Sequence, residues 1–127
     1  MEQKHLSEKK RFSLVARIKS ITHAWRGINI LFSTSPIKLH LFFTILAVYL
    51  GFLLNISSIE WLILIITICI VLIAEAFNTA IEIDIDLTSP NYHPYARDTK
   101  DVAAAAVLIS VVLSAIVGLI IFLPKIF

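Results

Sequence analysis

Four polar residues recur along one face of an otherwise apolar segment in the second half of the chain. They are Glu75, Asn78, Glu82 and Asp86. At about 100° per residue their spacing places all four within one stripe of an α-helix, whereas Asp84 points away from it. A carboxylate near hydrocarbon is costly unless it is paired, hydrated or bound to a metal. Acidic residues at such positions therefore indicate function.

The types of these side chains suggest two roles. Carboxylate oxygens on adjacent helical turns suit Mg²⁺, which takes few protein ligands and completes its shell with water and phosphates. Glu75 lies about 10 Å of helix rise deeper than Glu82, where it could take a proton from a hydroxyl. Together the two residues fit phosphate transfer from a soluble donor to a lipid hydroxyl. Interhelical hydrogen bonding alone, or an ion or proton pathway, are the alternatives.

A polar loop follows the stripe, over residues 87–101. Its two prolines and its Asn and Ser residues indicate a loop, and we expect the next helix to begin around Ala96. Tyr92, His93 and Tyr95 offer rings and hydrogen bonds for a base, and Lys100 could contact phosphates. The alternative is an ordinary interfacial loop.

The elements that must position these residues are membrane helices. Of the 127 residues 58% are apolar and 16% are charged, against about 45–50% and about 25% in soluble domains. Three apolar blocks approach or exceed the roughly 20 residues that cross a bilayer. They cover residues 36–54, 59–83 and 102–123. Lys38 and His40 near the start of the first block are expected to reach back to the headgroups.

Other classes of protein are disfavoured by the same composition. Cys69 is the single cysteine and lies within an apolar block, so a disulfide framework and a Cys/His zinc cluster are excluded. Three glycines cannot build a glycine-rich phosphate loop, so a bound nucleotide would be held by side chains. We expect no nucleic-acid partner.

Basic residues indicate the topology. Eight of the eleven Lys and Arg residues precede or open the first span, two lie between the second and third, and Lys125 follows the third. The positive-inside rule then places the N-terminus and the polar loop in the cytoplasm and the C-terminus outside.

Two further segments have an expected place in this architecture. Beyond a polar basic tail at residues 1–11, residues 12–32 have apolar positions at helical spacing, which indicates an amphipathic helix on the cytoplasmic leaflet or one that only anchors the chain. In the third span, Ala106, Ser110, Ser114 and Gly118 form a row of small residues suited to close helix packing. Because three helices can hardly enclose a polar site, we expect an oligomer whose subunits share it.

These residues resemble the small integral-membrane prokaryotic diacylglycerol kinases, a family that includes undecaprenol kinases. The matching motifs are Ala74-Glu75-x-x-Asn78-Thr79-Ala80-Ile81-Glu82, Asp86, Ser89-Pro90-x-Tyr92-His93 and Lys100-Asp101-x-Ala103-Ala104-Ala105-Ala106-Val107-Leu108. The resemblance extends over nearly the whole chain from Phe12, so residues 12–127 are expected to form one membrane-embedded lipid kinase domain. The Ser89-to-Pro94 segment looks closer to undecaprenol kinases, although it does not decide between the two lipids.

The resemblance implies an all-α fold, with a surface helix and three spans, in a homotrimer of the bacterial inner membrane. It implies Glu75 as the catalytic base, Glu82 as the ligand of the magnesium in Mg-ATP, and Asn78 as a supporting residue. The positions that it assigns to the nucleotide are Asn91, Tyr92, His93, Lys100 and Asp101. Asp86 would lie near the same site, and Lys19 and Arg17 would face phosphate and lipid.

One departure from the family pattern concerns the metal. The family places a second metal-binding glutamate close to Ser35, but residues 33–36 contain no acid, and His23 replaces an aromatic residue of the nucleotide site. Fewer carboxylates would bind metal more weakly. Two alternatives to an active kinase therefore stay open, a weakened family member acting as a membrane partner and a small proton-coupled transporter subunit. Restoring an acid with Ser35→Glu would separate a weakened kinase from an inactive partner.

Overall fold

A computed structural model describes the backbone of residues 2–127 and the side chains of residues 2–4, 13–34 and 36–127. The described backbone forms four helices and no strand: α1 (Glu2–Ser33), α2 (Ser35–Leu53), α3 (Ser58–Thr88) and α4 (Pro94–Ile126). The last three are long and apolar enough to cross a membrane, which confirms the predicted number of spans.

Helix α1 forms a unit of its own, and α2, α3 and α4 together form a second unit. The helix begins at Glu2, so the backbone of the predicted tail is helical and α1 is longer than the expected 12–32. Pro36 explains why α1 and α2 are separate, because a proline disfavours the helical conformation of the residue before it and is itself accepted in a first turn.

The α2–α3 turn is held by local backbone chemistry. Asn55 has φ of 49°, in the left-handed region that asparagine tolerates better than most residues. This conformation lets the Ile56 N–H donate to the Gly51 carbonyl at 3.2 Å, as in a helix C-terminal cap of the Schellman type. Gly51 lets the two helices approach here, because a Cβ at this position would lie 2.7 Å from the Trp61 ring and the ring would have to shift.

Helix α3 begins with a capping box. The Ser57 hydroxyl accepts a hydrogen bond from the Glu60 N–H at 3.2 Å, and the Glu60 carboxylate accepts one from the Ser57 N–H at 2.7 Å. Glu60 also pairs with Lys125 of α4 at 3.3 Å. Beside this cap lies the buried apolar cluster, made of Ile56, Leu64, Ile121 and Phe122.

The α3–α4 connection is shorter than the sequence predicts, since both helices extend into it. Helix α3 continues to Thr88, beyond the predicted end of the apolar block at residue 83, and α4 begins at Pro94 instead of near Ala96. Asp86 is helical, as its place in the predicted stripe requires. The His93 Nδ1 accepts a hydrogen bond from the Tyr95 N–H at 3.2 Å and caps α4, with Pro94 in its first turn.

Candidate functional site

The polar stripe of α3 runs from a buried end to an exposed one. Glu75 is 2% exposed and Asn78 is 8% exposed, although both belong to a helix whose other faces are mostly apolar. One and two turns further toward the C-terminus of the helix, Glu82 and Asp86 are exposed. The stripe thus joins a desolvated carboxylate to carboxylates that small polar molecules can reach.

Glu75 is paired with a residue of another helix. Its Oε2 lies 3.2 Å from Nε2 of His40 on α2, and the two side chains are 3% and 14% exposed. The expectation that His40 reaches back to the headgroups is therefore wrong. Because α2 packs on α3, the imidazole gains a buried carboxylate as its partner, which offsets the desolvation of both groups.

Two oxygens of the stripe are buried without a hydrogen-bond partner. They are Oε1 of Glu75 and Oδ1 of Asn78. Buried polar atoms are nearly always hydrogen-bonded, and an orphaned one costs about 1–3 kcal/mol. The chain itself therefore leaves two oxygens, three residues apart on one helical face, desolvated and without a hydrogen bond.

Asn78 links the buried and exposed parts of the stripe. Its Nδ2 donates a hydrogen bond to Oε1 of Glu82 at 3.2 Å. This contact spans one helical turn and fixes one carboxylate oxygen of Glu82. Asn78 is therefore in direct contact with Glu82, and its supporting role stays a prediction.

At its exposed end the stripe is joined to α4. Lys100 Nζ donates to a carboxylate oxygen of Asp86, so two residues predicted for the site are in direct contact. Oδ2 of Asp101 instead lies 3.8 Å from Nε of Arg97 in the same helix, and both side chains are largely exposed. Lys100 and Asp86 thus place a positive and a negative charge together where α3 ends and α4 begins.

The loop between the two helices presents the other residues expected to contact a nucleotide. Asn91, Tyr92 and His93 are exposed, and the Tyr92 side chain is accessible enough to stack on a planar ring. Because His93 Nδ1 accepts the capping hydrogen bond, its neutral ring carries the proton on Nε2 and can donate to a ligand there. His93 therefore caps α4 through Nδ1, while Nε2 takes no part in the cap.

Three further residues of the predicted site belong to α1. Arg17, Lys19 and His23 are exposed on α1, the separate unit. The side chain of Ser35 lies outside the described residues. The roles of these positions stay predictions.

A cavity of about 400 Å³ lies between α2, α3 and α4. Its wall is mostly apolar, and its polar residues are His40, Thr44, Thr67 and Ser114. Gly118 also lines it, and a Cβ at that position would meet no atom within 4 Å. Ser114 and Gly118 of the small-residue row therefore border open space in the single chain, whereas Ser110 of the same row is buried.

His40 is the residue that sequence reasoning missed. The sequence instead predicts that His40 reaches the headgroups, because polar side chains near the end of a span can extend to the interface. The signal that could have found it was its position in the apolar block, since an ionisable residue there indicates function as much as Glu75 does. Its partner, 35 residues further along the chain, is defined only by the packing of α2 on α3.

Comparison with known proteins identifies the family. The model of the family described as "Prokaryotic diacylglycerol kinase" matches residues 22–122. A Bacillus subtilis (strain 168) protein named undecaprenol kinase is 40% identical over 122 residues, which cover 95% of each chain. A diacylglycerol kinase of Synechocystis is 36% identical over 83% of this chain and 61% of that protein, and one of Escherichia coli K12 is 29% identical over 78% and 82%. Together with the three spans and the polar stripe, these matches show that the chain belongs to the prokaryotic diacylglycerol kinase family.

Proposed function

We propose that this protein is a lipid kinase that transfers the γ-phosphate of Mg-ATP to the hydroxyl of a membrane lipid alcohol, undecaprenol or diacylglycerol. The observation that carries the proposal is the stripe of α3, where a buried carboxylate at Glu75 is followed on the same face by Asn78 and the exposed Glu82. This arrangement suits a reaction with one apolar and one aqueous substrate. The family and its relatives support the same reaction.

In this reaction Glu75 is the general base. The lipid oxygen forms a bond to the γ-phosphorus while the bond from that phosphorus to the bridging oxygen of ADP breaks. The hydroxyl proton passes to the Glu75 carboxylate, and ADP leaves with the electrons of the broken bond. Burial of Glu75 in α3 suits this role, because it keeps the carboxylate at a depth where a lipid hydroxyl is present and water is scarce.

Glu82 is the residue that would hold magnesium. Its exposed carboxylate has one oxygen fixed by Asn78, and Mg²⁺ bound to a nucleotide ordinarily uses one or two protein carboxylates. The described residues contain no group of three or more His, Cys, Asp or Glu that could form an all-protein metal site. The residues therefore fit an ion carried by nucleotide phosphates, where its charge offsets that of the phosphate oxygens.

The nucleotide would lie at the exposed end of the stripe. Tyr92 offers an aromatic face for the base, and Nε2 of His93 offers a donor. Lys100 provides a positive charge for phosphate beside Asp86, and the exposed Asn91 and Asp101 complete the polar surroundings. Lys19 and Arg17 of α1 are proposed to contribute positive charge toward phosphate and lipid.

A homotrimer with shared sites would supply the missing partners of the stripe. The orphan oxygens of Glu75 and Asn78 support this proposal, since a second copy could bring donors to them. The excess of Lys and Arg before the first span supports a cytoplasmic N-terminus in the bacterial inner membrane, with the C-terminus outside. The α3–α4 loop would then face the compartment that contains ATP.

The test is lipid phosphorylation by the purified protein. Radiolabelled Mg-ATP is supplied with undecaprenol and with diacylglycerol in parallel, which also decides between the two lipids. We expect labelled lipid with the wild-type protein and a fall of at least about 100-fold with Glu75→Gln. Glu60→Gln is the matched control, since it removes an acid from the other end of the same helix and should retain activity. Absence of labelling in both lipids by the wild-type protein would refute the proposed function.

A further inference from the structure

The contact between His40 and Glu75 joins two ionisable side chains within the apolar part of the fold. The distance from Nε2 to Oε2 is 3.2 Å, and both side chains are largely removed from solvent. Ionisable groups are rare at such depth and are retained there mainly where they serve a function. The pair therefore calls for an explanation beyond packing, and the assignments made above use only Glu75.

The two oxygens of Glu75 have different surroundings. Oε2 faces the His40 ring nitrogen, whereas Oε1 is buried with no hydrogen-bond partner. A carboxylate with one oxygen held by a donor has a defined side-chain orientation, and its other oxygen keeps its lone pairs for a further partner. Glu75 thus has one carboxylate oxygen held by His40 and one without a hydrogen-bond partner.

We infer that His40 is the positioning residue of Glu75. Its Nε2–H donates to Oε2 and holds the carboxylate in one orientation, which leaves Oε1 as the oxygen that accepts the proton of the lipid hydroxyl. The inference rests on the proposed function, because it assigns a role to His40 in the same reaction.

The position of His40 in the fold supports this role. The imidazole extends from α2 and lines the cavity between α2, α3 and α4, whose wall is otherwise mostly apolar. It is thus a polar group that borders both the cavity and the carboxylate. A shift of α2 relative to α3 would be transmitted to the orientation of Glu75 through this one hydrogen bond.

The reach of the side chain at position 40 provides the test. His40→Gln keeps an N–H donor at about the distance of Nε2 from the backbone, whereas His40→Asn carries the same amide one methylene shorter. His40→Leu removes the donor. Thr44→Val is the matched control, because Thr44 lines the same cavity one turn away on α2 and its hydroxyl donates to the His40 carbonyl, not to Glu75.

The measurements are kcat, the KM for the lipid, and the thermal unfolding midpoint in detergent for each full-length variant. We expect His40→Leu and His40→Asn to lower kcat by about 10- to 100-fold, because a misplaced reacting group costs that much. We expect the KM for the lipid to change little. His40→Gln should recover most of kcat, and Thr44→Val should match the wild-type protein.

Coupling to Glu75 is measured by a double-mutant cycle. The shorter side chain of Glu75→Asp cannot keep the contact with His40, so His40→Leu should cost much less in that background than in the wild type. A structural role for His40 would predict the same loss of stability in both backgrounds and no difference between Gln and Asn.

Several results would overturn the inference. They are a His40→Leu kcat equal to the wild-type value, equal kcat values for His40→Gln and His40→Asn, and full additivity with Glu75→Asp. Each of these leaves the proposed function standing if the wild-type protein phosphorylates lipid. An inactive wild-type protein would refute the proposed function, and the inference with it.

Discussion

The polar groups at the two ends of α3 differ in whether they have hydrogen-bond partners. At the end near the α2–α3 turn, Ser57 and Glu60 satisfy each other's backbone groups, and Glu60 has a second partner in Lys125. At the other end, Glu75 and Asn78 each keep a buried oxygen without a partner. One helix therefore carries a completed polar arrangement and an incomplete one.

The two ends of α3 also differ in the kind of residue that is buried. Beside the α2–α3 turn, Ile56, Leu64, Ile121 and Phe122 form a closed cluster, and Gly51 lets the Trp61 ring approach the backbone of α2. Along the stripe the buried residues are instead polar, namely Glu75, Asn78 and Thr79. We expect residues near the turn to contribute to stability, and residues of the stripe to be retained for the proposed reaction at a cost in the stability of the single chain.

The largest expected effect that tests this contrast is that of Glu82→Gln. Loss of the carboxylate proposed to hold magnesium should lower kcat/KM for Mg-ATP by about 100-fold or more, with little change in the thermal midpoint. Asp84→Asn is the control, since Asp84 is an exposed acid two residues away on the same helix but off the stripe. Equal losses of kcat/KM in Glu82→Gln and Asp84→Asn would mean that activity depends on the net negative charge of α3 and not on the position of Glu82 in the stripe.

A smaller effect is expected from Asn78→Leu. Without the amide donor, Glu82 loses the contact that fixes one of its oxygens, so the Mg²⁺ concentration for half-maximal activity should rise about tenfold. Thr79→Val changes the neighbouring buried residue without touching Glu82 and should leave the magnesium requirement unchanged. A magnesium titration of the three proteins makes the comparison. An unchanged requirement in Asn78→Leu would show that Asn78 does not position Glu82.

The smallest effect is expected at the α2–α3 turn, from Ser57→Ala. Removal of the capping hydroxyl should lower the free energy of unfolding by about 1 kcal/mol. Activity per folded molecule should remain within about twofold of the wild type, because an uncoupled cap contributes nothing to the transition state. Denaturant titration in detergent and the lipid assay measure the two quantities. A large loss of activity without a loss of stability would contradict the division between the two ends.

Sequence alone predicts the helices well and their limits less well. The three spans follow from the apolar blocks at residues 36–54, 59–83 and 102–123, because length and hydropathy are local properties, and the structure has them at Pro36–Leu53, Ser58–Thr88 and Pro94–Ile126. The stripe predicts that the helix includes Asp86, beyond the apolar block that ends at residue 83, and α3 continues two residues further to Thr88. Helical hydrogen bonding continues through exposed acids without difficulty, and only the Ser89-Pro90 step ends it.

Prediction of the candidate site from the sequence is also limited to features of single helices. Glu75, Asn78 and Glu82 could be selected from the sequence, because residues of one helix have a fixed angular relation. His40 and the Lys100–Asp86 pair could not be assigned in this way, since each contact joins two helices. Contacts between helices depend on how the helices pack, and periodicity within one segment contains no information about that.

The length of α3 has a consequence for where the reaction takes place. Its 31 residues span about 46 Å, more than the roughly 30 Å of hydrocarbon in a bilayer. With its capped beginning at one interface, Glu75 lies about 26 Å along the axis and Glu82 about 36 Å. The depth of each residue of α3 is therefore set by its distance along the helix from the α2–α3 turn. Bilayer thickness then determines whether Glu75 sits just below the opposite interface, so the reaction that we propose for Glu75 should depend on the thickness of the membrane.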